Sequence, residues 1–124
     1  MELIIKKCLK CGALVEVIRD CKCGNCGIMC CNEQMVELKP NLVDASFEKH
    51  IPTYKIDGEK ILAEVNHVME EEHYIEFIAY ASEKGIQKVF LKPNTAAKAE
   101  FVYDGKGELY SYCNKHLLWK TEVK

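Results

Sequence analysis

The chain has 124 residues, with 17 lysines and arginines against 19 aspartates and glutamates, so its formal charge is −2 at pH 7. A charge this close to neutral argues against a broad basic surface for nucleic acid, and no apolar run approaches the roughly 20 residues that span a bilayer. The apolar stretch at the start is too short for a signal peptide, so we expect a cytoplasmic protein without nucleic-acid or membrane partners.

Cysteines and histidines divide the chain into two chemically different parts. Seven of the eight cysteines lie between Cys8 and Cys31, whereas the four histidines all lie after residue 49. Because thiols stay reduced in the cytoplasm, clustered cysteines there indicate metal ligands rather than disulfides. A chain of this length usually forms one domain, but the division predicts two, at 1–38 and 39–124.

The first part, 1–38, offers little material for an apolar core. Leu14–Ile18 alternates like a short strand, and Gln34–Leu38 is a second candidate strand. A segment this small does not fold on buried apolar area alone, so we expect a bound metal to stabilise it. Lys39-Pro40-Asn41 then predicts a linker.

The second part predicts short strands separated by turns. In chain order, the candidate strands are 54–56, 60–65, 73–81, 86–91, 99–103 and 109–113. Asp57-Gly58 and Lys84-Gly85 favour hairpins, and Asp104–Gly107 is a further strong turn signal. No segment shows a 3.6-residue period, so the predicted fold class is all-β, with an antiparallel sandwich in this part.

The cysteine cluster begins with Cys8-Leu9-Lys10-Cys11, whose spacing is typical of a knuckle that chelates one metal ion. Two other pairs could complete a four-sulfur site, and these are Cys23 with Cys26 and Cys30 with Cys31. Spacing alone favours the first pair, as in a zinc ribbon or rubredoxin, because adjacent thiolates share a metal only where the backbone bends sharply. Four sulfurs suit either zinc or iron.

The second part contains another set of candidate ligands, and these are His50, His67, His73, Cys113 and His116. Cys113 and His116 are spaced as a C-x-x-H half-site, in which thiolate and imidazole can chelate one ion. One isolated histidine is more often an ordinary polar side chain, but four histidines beside a cysteine favour a metal centre. Zinc usually takes four donors, whereas iron accepts five and keeps a sixth position open.

Four segments of the second part resemble the superoxide reductases, and these are Glu48–Pro52, Asn66–Glu76, Phe90–Pro93 and Cys113–Lys120. The knuckle at Cys8 and the segment Cys30–Met35 resemble the desulforedoxin-type module that precedes this domain in desulfoferrodoxins. The resemblance covers essentially the whole chain. It implies a desulforedoxin/rubredoxin-like module at 1–38, a seven-stranded immunoglobulin-like β-sandwich at 39–124, and a homodimer.

The resemblance also implies two mononuclear iron sites. Its catalytic iron ligands would be His50, His67, His73 and His116, with Cys113 as the axial sulfur. Its first iron would be held by Cys8, Cys11, Cys30 and Cys31, against the spacing preference, with Cys23 and Cys26 as the alternative pair. Glu48 matches a glutamate that can take the sixth position after oxidation, and Lys49 matches a lysine that attracts superoxide.

The implied activity is one-electron reduction of superoxide to hydrogen peroxide, with the iron re-reduced by a rubredoxin-type donor. The alternatives are a non-enzymatic rubredoxin-like electron carrier and a zinc-ribbon interaction module. Three features depart from the family pattern: the extra thiols Cys21, Cys23 and Cys26, Val68 in place of a common proline, and Leu117 in place of a usual glycine. We expect Leu117 to alter the turn after His116.

Overall fold

A computed structural model describes residues 2–23, 27–42 and 49–124. Its contacts divide the chain into two compact units, one of Leu3–Lys39 and one of Pro40–Lys124 with Glu2. The described residues contain β-strands and no α-helix, which confirms the all-β fold class. Within those ranges, no helix has the length and apolar character needed to cross a membrane.

The described residues of the first unit form five short strands. They are β1 (Ile5–Lys7), β2 (Leu14–Glu16), β3 (Met29–Cys30), β4 (Glu33–Gln34) and β5 (Val36–Glu37). β1 lies between β2 and β5 in an antiparallel sheet, while β3 and β4 form a separate hairpin. The buried apolar residues of this unit are Leu3, Ile5, Cys8, Met35 and Leu38. A core this small needs a further stabilising element, such as a metal.

The described residues of the second unit form seven strands. They are β6 (Thr53–Asp57), β7 (Lys60–Glu64), β8 (Ile75–Ser82), β9 (Gly85–Phe90), β10 (Lys98–Val102), β11 (Gly107–Cys113) and β12 (Leu117–Val123). One antiparallel sheet has the order β10-β7-β6, and the other has the order β12-β11-β8-β9. This arrangement is the antiparallel sandwich that the sequence predicts.

The sandwich core comes from alternation along the strands. In β7 and β10 every second residue is buried, because successive side chains point to opposite faces of a strand. The buried cluster between the sheets includes Ile61, Ala63, Phe101, Ile78, Tyr80, Leu109 and Cys113. One candidate metal ligand, Cys113, is therefore itself part of the apolar core.

The turns of the second unit have two different roles. The predicted hairpins are confirmed, because Asp57 pairs with Lys60 and Ser82 pairs with Gly85. The turn at Asp104–Gly107 instead connects the two sheets, since β10 pairs with β7 and β11 pairs with β8. The last strand, β12, lies outside the predicted strands, because its buried residues do not alternate.

The strand β8 is buried on both faces, although the apolar residues Ile75, Phe77 and Ala79 alternate in the sequence as for a strand with one buried face. Its pairing with β11 is irregular near the end, where the register shifts between Tyr112 and Cys113. Such irregularities redirect side chains next to functional sites. Here the shift falls where β11 ends at a candidate metal ligand.

Candidate metal centres

Five side chains of the second unit form one group, the His/Cys centre, which consists of His50, His67, His73, Cys113 and His116. Their potential ligand atoms all lie within 4.8 Å of one another. Three separate regions contribute, namely the segment before β6, the β7–β8 connection and the end of β11 with the turn that follows it. The fold thus brings together residues as far apart in sequence as His50 and His116, whose ring nitrogens are 2.9 Å apart.

The four imidazole rings of this centre form a closed square. Neighbouring centroids are 4.7 Å apart for three pairs and 5.1 Å apart for His73 and His116. Donors in adjacent positions around a metal with bonds of about 2.1 Å lie about 3.0 Å apart. The 2.9 Å between His50 Nε2 and His116 Nδ1 matches that spacing.

Cys113 supplies the sulfur on the interior side of the square. Its Sγ lies 3.4 Å from His67 Nε2 and 3.8 Å from His116 Nδ1. The cysteine is fully buried, whereas His67, His73 and His116 are partly exposed. The sulfur therefore faces the core, and the histidine rings lie nearer the surface.

Two histidines of the centre, His67 and His73, have ring nitrogens whose surroundings suit metal binding. His67 Nδ1 lies 2.5 Å from the Val68 carbonyl, a contact that places the ring proton on Nδ1 and leaves Nε2, the nitrogen 3.4 Å from Cys113 Sγ, without a proton. His73 Nε2 is buried without a hydrogen-bond partner, which is unfavourable unless a cation binds it. Desolvation lowers the pKa of both histidines, so both stay in the neutral form that binds metals.

The Cys113 thiol experiences opposing influences. Burial raises the pKa of Cys113, while hydrogen bonds from the backbone amides of Lys115 and His116 lower it. A buried thiolate needs a positive partner, and a metal ion provides one. The donor set therefore fits a metal, and its mixture of imidazole nitrogen and thiolate sulfur suits iron.

Two further residues, Trp119 and Ser111, contact the candidate ligands His50 and His116. The sequence gives no local signal for the role of Ser111. Trp119 stacks on His50 with ring centroids 4.9 Å apart, and its indole N–H donates to the His116 carbonyl at 2.9 Å. The buried Ser111 hydroxyl donates to the His50 carbonyl at 2.7 Å. Trp119 is fully buried and lies three residues after His116, whereas the role of Ser111 depends on a contact across 61 positions.

Leu117, which follows His116, has a φ of 65°. A non-glycine residue in this left-handed region costs about 1–2 kcal/mol, and leucine lacks the short polar side chain that eases it. The turn therefore keeps the conformation that glycine adopts readily, although the residue is leucine. Strain of this kind persists where the surrounding structure holds it, as at functional sites.

The two residues expected to assist catalysis precede His50. Lys49 is exposed, and Glu48 lies outside the described residues. Within the described ranges, no additional histidine, cysteine, aspartate or glutamate joins the five members of the His/Cys centre. The protein donors described there therefore number five.

The first unit contains a second group, the four-cysteine centre, which consists of Cys8, Cys11, Cys30 and Cys31. The Sγ of Cys30 lies 3.6 Å from that of Cys11 and 3.9 Å from that of Cys31. Metal–sulfur bonds of about 2.3 Å in a tetrahedron place the sulfurs about 3.8 Å apart, whereas a disulfide needs about 2.05 Å. The spacing therefore fits a tetrahedral metal site.

Adjacent cysteines can share this centre because of the turn between β3 and β4. Cys31 and Asn32 are its two central residues, with φ values of 53° and 64°. Two consecutive left-handed residues reverse the chain at once, which supplies the sharp bend that the spacing argument requires. Cys23, by contrast, is disulfide-bonded and lies outside the group, and Cys26 lies outside the described residues.

The thiols of this centre influence each other. A hydrogen bond from the Cys11 amide to the Cys8 sulfur, at 3.4 Å, is the main factor that lowers the pKa of Cys8 to about 6. Interaction with the Cys11 sulfur is the main factor that raises the pKa of Cys30 to about 12. Neighbouring thiols do not all lose their protons readily, because the resulting negative charges repel each other. A bound cation offsets that repulsion.

Comparison with known proteins adds independent findings. A family model described as Desulfoferrodoxin matches residues 42–122. The chain is 40% identical to the desulfoferrodoxin of Desulfarculus baarsii over 125 residues, which cover 97% of this chain and 96% of that protein. It is 38% identical to the desulfoferrodoxin of Nitratidesulfovibrio vulgaris over 123 residues, or 96% and 95% of the two chains. The crystal structure of the superoxide reductase from Treponema pallidum aligns with a TM-score of 0.75 and 28% identity, covering 98% of this chain and 99% of that chain.

Proposed function

Because this chain belongs to the desulfoferrodoxin family, we propose that it is a superoxide reductase, an oxidoreductase that converts superoxide to hydrogen peroxide. The observation that carries this proposal is the His/Cys centre, a square of four imidazoles with one buried thiolate beside it. The likeness to a solved superoxide reductase, at 28% identity over nearly the whole chain, supports the same activity. An electron carrier or an interaction module would not require these five donors.

We propose that His50, His67, His73, His116 and Cys113 hold ferrous iron. Iron held by these residues would supply one-electron chemistry: one superoxide, one electron and two protons give one hydrogen peroxide. Five protein donors do not fill the six positions available around iron. Within the described residues no sixth donor joins them, so these five side chains by themselves leave one position for a small ligand.

The charge of the site suits an anionic substrate. A divalent ion with four neutral imidazoles and one thiolate has a local charge of about +1. Lys49 is exposed directly beside His50 and adds a second positive charge. A local positive field attracts a small anion although the whole chain has a formal charge of −2. We propose that Lys49 speeds the encounter with superoxide.

The Cys113 thiolate is proposed as a ligand that would hold the iron through its sulfur and would donate electron density to it, as a cysteine ligand does in haem enzymes. Its burial keeps water away from the sulfur, and the amides of Lys115 and His116 moderate its charge. Glu48, which lies outside the described residues, is proposed to cap the sixth position after oxidation.

The four-cysteine centre is proposed to hold a second iron through Cys8, Cys11, Cys30 and Cys31. The two compact units support a division into domains at 1–38 and 39–124. A rubredoxin-type protein is proposed to restore the ferrous state. The cytoplasmic location, the homodimer and a protective role against superoxide are further proposals that depend on the family likeness, and light scattering on the iron-loaded protein measures the oligomeric state.

Metal analysis with absorption spectra of air-oxidised and reduced protein tests this function. We expect one iron in each of the two groups, bands of an Fe(Cys)4 site, and a separate broad sulfur-to-iron band at long wavelength. Under a steady supply of superoxide and reductant, one peroxide should form per superoxide, without dioxygen. Colourless protein with zinc would indicate the interaction module, and Fe(Cys)4 bands alone would indicate the electron carrier.

A further inference from the structure

We propose that Asn114 is a positioning residue of the His/Cys centre, whose side-chain amide fixes the backbone on both sides of His73 relative to Cys113. The inference rests on the proposed function to the extent that the centre binds iron. Asn114 is not a ligand, and the sequence shows only that it follows Cys113.

Three hydrogen bonds carry the proposal. The Tyr74 backbone N–H donates to Asn114 Oδ1 at 2.9 Å, and Asn114 Nδ2 donates to the Glu72 carbonyl at 2.9 Å. The Asn114 backbone N–H also donates to the Tyr74 carbonyl at 3.2 Å. Asn114, which follows Cys113, therefore holds the backbone on both sides of His73. These three hydrogen bonds are called the Asn114 clamp.

The Asn114 clamp supports a part of the backbone that lies before the first residue of β8. His73 precedes β8, and its own backbone pairs with Glu70 within a tight turn, at 3.0 and 3.2 Å. The ladder between β8 and β11 is irregular at Cys113, where it meets Ile75. Regular sheet pairing therefore does not reach His73, and the Asn114 amide takes its place.

The other ligands have supports of a different kind. The Ser111 hydroxyl binds the His50 carbonyl, and the Trp119 indole binds the His116 carbonyl. His73 Nε2 is buried and has no hydrogen-bond partner to orient the ring. Ligands that are misplaced by about 0.5 Å lose function, and loss of an outer contact typically weakens metal binding by about 10–100-fold.

The chain offers a matched control in Gln87. Its side-chain amide also makes two hydrogen bonds to backbone, donating to the Val102 carbonyl at 2.8 Å and accepting from the Val102 N–H at 2.9 Å. Gln87 pairs with Tyr80, toward the other end of β8 from Ile75. Gln87→Ala therefore removes the same two kinds of side-chain bond without touching a residue beside the centre.

The test compares wild type, Asn114→Ala and Gln87→Ala, each loaded with iron. Iron retained during dialysis against a ferrous chelator is measured, and the long-wavelength band is compared with the Fe(Cys)4 bands of the same molecule. We expect Asn114→Ala to lose iron from the His/Cys centre about tenfold faster and to shift that band. Gln87→Ala should behave as wild type, and equal behaviour of the two variants at the centre would overturn the proposal.

Asn114→Asp separates the two bonds of the amide, because a carboxylate still accepts from Tyr74 N–H but cannot donate to the Glu72 carbonyl. We expect intermediate iron retention, and if Asn114→Ala does not fold, wild-type retention in Asn114→Asp overturns the proposal. Amide exchange of Tyr74 in metal-free protein provides a readout without iron. The exchange is measured in whichever of Asn114→Ala and the isosteric Asn114→Leu folds, because both remove the acceptor of the Tyr74 N–H. Faster exchange supports the clamp even where wild type binds no iron, a result that would refute the proposed function alone. Unchanged exchange overturns the clamp.

Discussion

Replacement of the single buried sulfur of the His/Cys centre is the sharpest test of its chemistry. Cys113→Ser exchanges a thiolate for a hydroxyl at a position with no exposed surface. Serine does not ionise at neutral pH, so the local charge of a ferrous site rises from about +1 to about +2. The bound iron would then lack the electron-rich sulfur ligand that Cys113 is proposed to provide.

The expected losses differ between activity and stability. Because even an outer contact is worth about 10–100-fold, loss of a direct ligand should lower superoxide turnover by about 100-fold or more. The fold should lose less, since the amides of Lys115 and His116, which bond the sulfur, can bond the serine oxygen instead. A buried hydroxyl with these partners should cost under about 2 kcal/mol.

The assay measures superoxide consumption, the long-wavelength band and urea unfolding of wild type and Cys113→Ser. Cys21→Ser is the matched control, because Cys21 is an exposed free thiol outside both groups. The band and most of the turnover should disappear in Cys113→Ser and remain in Cys21→Ser. Retention of the band or of most turnover in a folded Cys113→Ser protein would refute the assignment of Cys113 as a ligand.

Three further predictions test other parts of the molecule. Lys49→Ala should slow superoxide binding and weaken its dependence on salt, because one exposed positive charge is removed, and an unchanged rate constant would exclude Lys49 from the mechanism. Cys30→Ser should lose the metal of the first unit while Cys23→Ser keeps it, as metal analysis would show, and the reverse result would identify the other pair. Tyr80→Phe should cost about 1–3 kcal/mol in urea unfolding at pH 7, since the buried hydroxyl bonds the backbone at both ends of Asp104–Gly105. Burial raises the pKa of Tyr80 to about 12, above its ordinary value of about 10. The contribution of the Tyr80 hydroxyl to the free energy of unfolding should therefore be constant below pH 10 and fall between about pH 10 and 12, and Tyr80→Phe should lack this fall.

The sequence by itself determined which side chains can act as metal ligands and much of the strand pattern. Cys8-x-x-Cys11 and Cys113-x-x-His116 are chelating spacings that any reader of the chain can find, because both ligands of each pair lie within a few residues. Alternation and glycine turns likewise predict β7, β10 and the hairpin at Asp57–Lys60, since these signals are local. The resemblance to a known family extended this local information to whole ligand sets.

Only the tertiary structure decided which local signals act together. Spacing favoured Cys23 and Cys26, yet two left-handed residues at Cys31 and Asn32 allow the adjacent pair to approach one point in space. The turn at Asp104–Gly107 resembles a hairpin in sequence but connects two sheets. Backbone conformation and strand pairing depend on distant partners, which spacing does not report.

The contacts that orient the His/Cys centre show the same division. The sequence identifies His73 as a candidate ligand, but the Asn114 amide reaches its neighbours across 40 and 42 positions. The Ser111 hydroxyl supports His50 across 61 positions. A residue type sets what a side chain can donate or accept, whereas the packing of two sheets sets where it does so, and that packing is a property of the whole domain.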